Sequence, residues 1–446
     1  MTTLAKKLRV VDYFTLGWGT MVGVGWLVVM DDWLLRGGVL GAVLGFAIGG
    51  LMLLPVGYVY GKLVSAMPDA SGEVAYTAKV FPHSVSYATG WMMVLSYFIV
   101  CPWEAVAVGK IAAYIFPTLD SMELYRVAGQ PVFLPRLIIG LALTGLITVF
   151  NYRGVRLSAT FQNWTTFGTL GLFVIFVGVG VTKGSPQNFP PLFTHSGFVS
   201  TLLVLQIVLY FMTGYESVGK AAEEAHPEFQ DRGYLMAIWM AIACGALFYI
   251  IVIAAVGYVA PWRQLTGEKF MTAVAFQQAV GSRWITSAIL TAALLSLFKC
   301  FNGNFVAASR LLFGMARRGL LRGNVGEVHP RNRTPSAAVL CVGAGTALCM
   351  FLGDAILVPV TEVGSVAAAV GILAACAAYF RLSSAGGERL WAVVGALVGL
   401  SMIVLKVVPA IPGSFTRYEW LSLVIWIGMG AVLWKRRSGG VDGKGD

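Results

Sequence analysis

The fold of this chain is decided by a glycine-rich stretch near its start, residues 17–26, which reads GWGTMVGVGW. Four glycines within nine residues disfavour a continuous helix, because each costs about 1 kcal/mol relative to alanine in a helix interior. The stretch lies in the middle of an apolar segment of bilayer-spanning length, predicted over residues 13–34. Non-helical backbone at membrane depth is tolerated only where protein buries it or where it lines a cavity. The sequence therefore predicts a discontinuous first membrane helix beside a cavity.

A second interruption lies half-way along the chain, where an apolar segment predicted over residues 199–222 contains YFMTGYE at 210–216. Paired breaks in corresponding segments of two halves are the best sequence pointer to the substrate site of a secondary transporter. We therefore expect a transporter with a five-plus-five division, its halves at about 13–182 and 199–380, followed by two helices at about 389–436. The division depends on the two breaks alone, since direct similarity between the halves is weak.

The composition excludes a soluble protein. The 446 residues are 57% hydrophobic and only 12% charged, with a mean hydropathy of +0.76, and apolar runs recur at bilayer-spanning length. The sequence predicts an all-α integral membrane protein with one transmembrane domain over residues 1–436 and a disordered cytoplasmic tail over 437–446. About twelve spans are expected, near 13–34, 38–63, 86–116, 133–151, 158–182, 199–222, 232–260, 280–318, 335–352, 356–380, 389–408 and 418–436.

The net charge of +11 indicates orientation in the membrane rather than a nucleic-acid partner. With an even number of spans both termini lie on one side, and that side carries most of the lysine and arginine, densest at residues 6–9, 317–333 and 435–437. The positive-inside rule places both termini in the cytoplasm of a multi-pass protein of the cell membrane. The expected partners are membrane lipid and a small-molecule substrate. The sequence leaves open whether the protein is a monomer or a homodimer.

No cofactor or metal is expected. The six cysteines show no paired spacing, and none of the four histidines lies near a cysteine. The spans hold no cluster of His, Asp, Glu and Cys and no phosphate-binding loop, so an enzyme is not expected either.

The break in the first span offers two opposite electrostatic fields to a ligand. Backbone N–H groups around Gly23 and Gly25, where the outer half begins, attract an anion such as a carboxylate. Carbonyls at the end of the inner half, from Gly19 to Met21, suit an ammonium or a metal cation. A zwitterionic amino acid matches both fields, and the alternative is that the glycines only permit close helix packing. The residues of this break expected at the substrate are Thr20, Met21, Gly23, Val24, Gly25 and Trp26, of which a cavity-facing Trp26 would favour a small substrate.

The sixth and third spans supply further groups. Four residues of the second break are expected at the substrate, namely Tyr210, Phe211, Met212 and Gly214. Glu216 lies in an apolar stretch, where a carboxylate is costly and usually functional, although an ordinary i,i+4 ion pair with Lys220 would also explain it. Glu104 interrupts the third span after Pro102 and Trp103, and we expect it to line the cavity.

Several segments resemble the amino acid–polyamine–organocation (APC) transporters. Gly23-Val24-Gly25 is similar to their unwound GSG-type motif, and GYE at 214–216 followed by AEEAHP at 222–227 resembles their sixth-span signature. The family's eighth span is resembled by Asn302 with AASRLLFGMARRG at 307–319, and the start of its ninth by TP at 334–335. Its fifth span is resembled by GVRLS at 154–158 with QN at 162–163. The resemblance covers most of the chain. It implies a LeuT-type inverted repeat with discontinuous helices 1 and 6, alternating access, and Tyr210 as an aromatic gate.

The departures from the family pattern concern ion coupling. Sodium-independent members often have a lysine in the fifth span in place of a sodium ion, and that position here is Thr169. The eighth span instead carries Lys299 near its middle, too deep to reach water easily. We expect Lys299, with Glu216, Asn302 and Thr169, to serve coupling and gating, either as a fixed positive charge or as a proton carrier. The alternative is a structural lysine bound to unwound carbonyls, and either reading argues against sodium.

Three functions remain open from the sequence. The main expectation is an amino acid transporter driven by protons or by exchange. An amine or polyamine carrier of the same fold would need Glu104 or Glu216 in place of the anion-binding backbone. A transporter-like sensor would ordinarily carry a signalling domain, which this chain does not contain.

Overall fold

The computed structural model describes residues 6–268, 270–323 and 325–435. This part of the chain is almost entirely helical. The α-helices are α1 (Val10–Met21), α2 (Gly25–Val28), α3 (Met30–Ala66), α4 (Glu73–Ala78), α5 (His83–Phe98), α6 (Val100–Ile115), α7 (Leu134–Arg153), α8 (Val155–Lys183), α9 (Gly197–Met212), α10 (Ser217–Lys220), α11 (Arg232–Val259), α12 (Met271–Val280), α13 (Arg283–Arg317), α14 (Ser336–Cys349), α15 (Leu357–Leu382), α16 (Gly386–Val407) and α17 (Arg417–Leu433). The 3-10 helices are Pro117–Asp120, Pro186–Asn188, Ala222–Glu224, Trp262–Leu265 and Met350–Ile356. The tail predicted to be disordered, 437–446, lies outside the described residues.

Among the described residues, ten helical segments are long and apolar enough to cross a membrane. They correspond to the second through eleventh predicted spans. The first predicted span is absent from this set because it is broken into short pieces, and the twelfth, α17, has only 17 residues. The all-α membrane architecture expected from the sequence is confirmed.

The first and second spans are joined without a loop. α3 contains the end of the first span and all of the second, and the two meet at Gly38, whose φ of 66° is left-handed. The third span is also built from two helices, α5 and α6, with Ile99 between them in an αR conformation. The helix is therefore kinked at Gly38, whereas the backbone keeps helical dihedrals through Ile99.

A β-hairpin that was not predicted from the sequence lies between the third and fourth spans. Strands β1 (Glu123–Val127) and β2 (Gln130–Phe133) pair antiparallel, with Val127 opposite Gln130. The two turn residues, Ala128 and Gly129, both have positive φ, 47° and 81°, which matches the twist of the strands. The strand residues are mostly exposed, so hydrophobic patterning gives little signal there.

The broken first span lies at the centre of the molecule. α1 packs against α8, α11 and α13, and residues 15–27 are all buried. α9, the first half of the sixth span, packs against α3 and α15. This enclosure explains how a glycine-rich, non-helical segment persists at membrane depth, since protein rather than lipid surrounds it.

Candidate functional site

The two predicted helix breaks are present and lie against each other. The first span is helical to Met21 and again from Gly25, and the sixth is helical to Met212 and again from Ser217. Gly214 has a φ of 136°, and a β-carbon there would lie 2.6 Å from the nitrogen of Met21. Only glycine permits this approach, so Gly214 brings the second break onto the backbone of the first.

A small cavity of about 20 Å³ lies beside the two breaks. Its lining includes seven of the predicted substrate residues: Thr20, Met21, Gly23, Gly25, Glu104, Tyr210 and Phe211. Four further lining residues were not predicted, namely Val100, Trp103, Thr213 and Cys300. The volume is enough for about one water molecule, so the site must widen to admit an organic substrate.

Most backbone carbonyls at the first break already bind side-chain donors. Asn304 and Cys300 donate to the carbonyl of Thr20, at 3.0 and 3.1 Å, and the hydroxyl of Tyr249 donates to that of Met21 at 3.2 Å. The expected cation-binding carbonyls of Thr20 and Met21 are thus occupied by the protein itself. These donors come from α11 and α13, which hold the end of α1 in place.

Lys299 of α13 is fully buried at the same break. Its ammonium donates to the carbonyl of Val22 and to Oγ of Ser296, the latter at 3.1 Å. Oγ of Ser296 also donates to Val22 at 2.9 Å and to the carbonyl of Gly23 at 2.7 Å. The Lys299 nitrogen lies 4.6 Å from the ring centroid of Trp18. Among the described residues no carboxylate is within ion-pair distance of it, so its charge is held by carbonyl and hydroxyl oxygens and by an aromatic face.

Glu104 brings a carboxylate to the start of the outer half-helix. The side chain is 2% exposed, and Oε1 accepts a long hydrogen bond of 3.4 Å from the N–H of Val24. Within the described part of the chain, Oε2 of Glu104 and the hydroxyl of Tyr210 are buried without a hydrogen-bond partner. The N–H groups of Gly25 and Trp26 also donate to no described acceptor. Unsatisfied polar groups around one cavity are a costly arrangement that a bound ligand would relieve.

Three predicted substrate or coupling residues lie away from this cavity. The Trp26 ring packs against Phe176 and Phe248 at centroid distances of 6.0 and 6.1 Å, and it lines a separate small cavity with Thr169. The Thr169 hydroxyl donates to the carbonyl of Thr165 in its own helix, at 2.8 Å. Met212 is buried against α3. Trp26 therefore does not limit the size of the central cavity.

Glu216 does not form the i,i+4 ion pair with Lys220 considered from the sequence, and that reading is wrong. Its carboxylate turns back to accept the N–H of Gly214 at 2.9 Å and so stabilises the second break. Lys220 instead pairs with Glu73 of α4, and both side chains are buried. A partner 147 residues away has displaced the local one.

Asn302 joins a buried chain of amides between four helices. It donates to Oε1 of Gln162 and accepts from Nδ2 of Asn151, both at 3.0 Å. Gln162 continues to the carbonyl of Thr15 in α1, at 3.2 Å. The network ties α7, α8 and α13 to the inner half of the first span.

Ion pairs close the molecule on the side where the described part of the chain begins and ends. Arg310 of α13 binds Glu224 at 2.9 Å, with each side chain 1% exposed. Arg318, just after α13, donates to two residues of the loop after α3. The distances are 2.6 Å to Asp69 and 2.8 Å to Ser71. Burial raises the pKa of Asp69, but hydrogen bonds from Ser71 and the Arg318 guanidinium outweigh it and hold that pKa below its ordinary value.

The opposite side is closed as well. Tyr210 packs over the break against Gly364 of α15, where a β-carbon would lie 2.7 Å from its ring. Beyond it, Arg36 binds Asp32 at 2.8 Å and Glu362 at 3.4 Å, and Glu362 also contacts buried Lys406. The central cavity is thus sealed from both ends.

Two helices broken at membrane depth around one sealed cavity are typical of the substrate sites of membrane transporters. The chain belongs to the amino acid permease family, whose profile matches residues 8–432. The APC resemblance drawn from the motifs is thereby confirmed.

Curated relatives align with most of the chain. The branched-chain amino acid permease BcaP of Bacillus subtilis (strain 168) is 25% identical over 374 residues, which cover 81% of this chain and 76% of the relative. A methylthioribose transporter of the same organism is 24% identical over 448 residues, covering 97% and 93%. The aspartate-proton symporter of that organism is 23% identical over 353 residues, covering 75% and 65%.

Proposed function

We propose that this protein is a secondary transporter that moves amino acids across the cell membrane by alternating access, without sodium and coupled to protons or to exchange. The observation that carries the proposal is the buried ammonium of Lys299 at the break of the first span. Its ammonium group lies where backbone carbonyls and a hydroxyl would otherwise suit a metal cation. A sodium ion at this position would meet both repulsion and a lack of free ligands.

The amino acid assignment is supported by the free N–H groups of Gly25 and Trp26, at the positive end of the outer half-helix. A substrate carboxylate placed there would satisfy them and gain from the helix end. The neighbouring Glu104 would oppose it when ionised, because two unit charges about 4 Å apart repel by about 4 kcal/mol at an effective dielectric constant of 20. Binding of a carboxylate therefore requires Glu104 to be protonated or to turn away.

The same carboxylate favours a second candidate, a substrate that brings a hydrogen-bond donor and no carboxylate. Glu104 occupies the position expected for the substrate anion and keeps one oxygen free, so an amine or a hydroxyl would bind it directly. The similarity to a methylthioribose transporter also extends over almost the whole chain. Uptake measurements distinguish these candidates.

The organisation of the chain follows the same proposal. We infer two inverted repeats at about 13–182 and 199–380, each opening with its broken helix, and two further helices at about 389–436 within one domain over 1–436. Both termini lie in the cytoplasm under the positive-inside rule. Alternating access would open the ion-paired side and the Tyr210 side in turn around the central cavity.

The proposal is tested by uptake into proteoliposomes of labelled amino acids, simple amines and methylthioribose. Each solute is measured with and without an inward proton gradient, at equal sodium on both sides and with sodium replaced by choline. We expect accumulation of an α-amino acid that persists in choline. Uptake that requires sodium would overturn the role of Lys299, and uptake confined to solutes without a carboxylate would select the second candidate.

A further inference from the structure

A second cavity shares no lining residue with the central one and lies on the side where the described part of the chain begins and ends. Its volume is about 400 Å³, compared with about 20 Å³ for the central cavity. It opens to the surface and is lined by α4, by the start of α5 and by the chain just after α13, through residues that include Val74, Phe81, His83, Ser86 and Arg318. Cavities of roughly 300–1,000 Å³ are the usual size of small-molecule sites.

The cavity wall holds polar groups that no described residue satisfies. Ser86 is 1% exposed, and its hydroxyl has no hydrogen-bond partner in the described part of the chain. Nε2 of His83, one turn earlier on α5, is also buried and unpartnered there. Buried hydroxyl and imidazole groups are rarely left unpaired, because each costs about 1–3 kcal/mol.

The backbone at the start of α5 adds donors of the same kind. The residue before the helix is Pro82, which offers no side-chain cap, and the N–H groups of His83 and Ser84 meet no described acceptor. α5 has 16 residues, so its first turn carries the positive end of a helix dipole. A donor-rich helix start favours an anion.

The charged side chains around the cavity also favour a bound anion. Arg318 uses Nε for Ser71 and Nη2 for Asp69, which leaves Nη1 without a described hydrogen bond. Arg381 stacks on the ring of Phe81, with its guanidinium carbon 4.7 Å from the centroid. Asp69 neutralises the charge of Arg318. The charged groups named here therefore leave one net positive charge beside the cavity, that of Arg381.

We propose that this cavity binds a phosphate group, carried either by a small phosphorylated solute or by an anionic lipid. The phosphate oxygens would accept from Ser86, His83, Arg318 and the first N–H groups of α5, since three or more donors converging on one anion is the usual composition of such a site. The site is separate from the substrate cavity, and the inference does not depend on the proposed function.

Binding there would act on the closed state of the same side. The ligand would bridge α4, α5 and the end of α13, and α4 supplies the Glu73 that pairs with Lys220 of the sixth span. A ligand that holds these elements together stabilises their joined arrangement by its differential affinity. We therefore expect phosphate to raise the thermal stability of the protein.

The test uses purified full-length protein in nanodiscs, with unfolding temperature measured against inorganic phosphate and against chloride at the same ionic strength. One set of nanodiscs contains phosphatidylcholine alone, and a second set includes phosphatidylglycerol. Ser86→Leu fills the cavity without touching the Arg318–Asp69 pair, and Arg318→Gln removes the cation. Arg331→Gln, at an exposed arginine of the following loop, is the matched control.

We expect a saturable rise in unfolding temperature for the native protein and for Arg331→Gln. The rise should be lost in Ser86→Leu, and the phosphate affinity should fall at least about tenfold in Arg318→Gln. A response to free phosphate in phosphatidylcholine identifies a solute site, and a response to phosphatidylglycerol alone identifies a lipid site. No saturable response in either set, or a response that Ser86→Leu retains, overturns the proposal. If Ser86→Leu does not fold, His83→Phe serves the same purpose.

Discussion

Replacing Lys299 with methionine is the sharpest perturbation of the central site. The change keeps the unbranched side chain and removes the charge that binds the carbonyl of Val22 and lies over Trp18. The Ser296 hydroxyl stays 2.9 Å from that carbonyl and 2.7 Å from that of Gly23, so the two carbonyls share its one hydrogen and the variant should fold. A hydrogen bond to a charged group contributes about 1.5–3 kcal/mol. We expect its loss to disturb the backbone geometry of the break that lines the cavity, and if the whole of that energy falls on binding, substrate affinity falls by about 10–150-fold.

The assay is initial uptake by proteoliposomes over a range of external pH, with substrate concentration varied at each pH. We expect Lys299→Met to lose most of the pH dependence as well as most of the rate, because the titratable cation at the break has gone. The matched control is Lys62→Met, which removes a half-exposed lysine paired with Glu388 at 3.4 Å and should leave uptake near the native value. A Lys299→Met protein with a native pH profile and native KM would refute the reasoning and leave Lys299 as a structural residue.

Three further changes test other parts of the site. Gly25→Leu should abolish substrate binding in a folded protein, because a β-carbon at Gly25 already lies 2.5 Å from the ring of Phe211; retained affinity in a binding titration would show that the substrate does not use this backbone. Lys220→Met should lower the free energy of unfolding by about 3–5 kcal/mol, since it leaves the carboxylate of Glu73 buried and unpaired. The double variant Lys220→Met, Glu73→Gln should recover much of that loss. Equal unfolding temperatures for the single and double variants would argue against the ion pair. Asp69→Asn should destabilise the protein at neutral pH, because the pKa of Asp69 is depressed in the folded state. The contribution of Asp69 to stability is present above its unfolded-state pKa and is lost as the pH falls through its folded-state pKa. The difference in unfolding temperature between variant and native protein should therefore shrink below about pH 4, and a difference independent of pH would contradict the assignment.

The features predicted correctly from the sequence are those with a local cause. Glycines clustered in an apolar segment of fixed length give the break between Met21 and Gly25, and a lysine in the middle of a span stands out wherever its partners lie. The donors that hold the break, Ser296 and Cys300, were missed because serine and cysteine are common in membrane helices. Only the packing of α13 on α1 shows that they face free carbonyls.

The errors have the opposite cause, since they concern contacts between distant segments. Lys220 has a carboxylate one turn before it, yet the fold brings Glu73 closer. Trp26 follows the critical glycines, but its helical phase turns the ring towards α8 and away from the cavity. A single helix turn decides between facing the substrate and facing a neighbour, and the phase of a four-residue helix such as α2 cannot be fixed from spacing.

The closure of the ion-paired side has a physical reason under the proposed alternating access. Buried pairs such as Lys220–Glu73 and Arg310–Glu224 cost desolvation, so apolar residues of similar volume would often be more stabilising in a permanent contact. An apolar seal would however resist opening, because each Å² exposed to water costs about 25 cal/mol. Ion pairs regain hydration when the two elements separate, and they rejoin only in the register that matches opposite charges. We infer that this surface is built to part and to close again in one arrangement, which a static structural contact would not require.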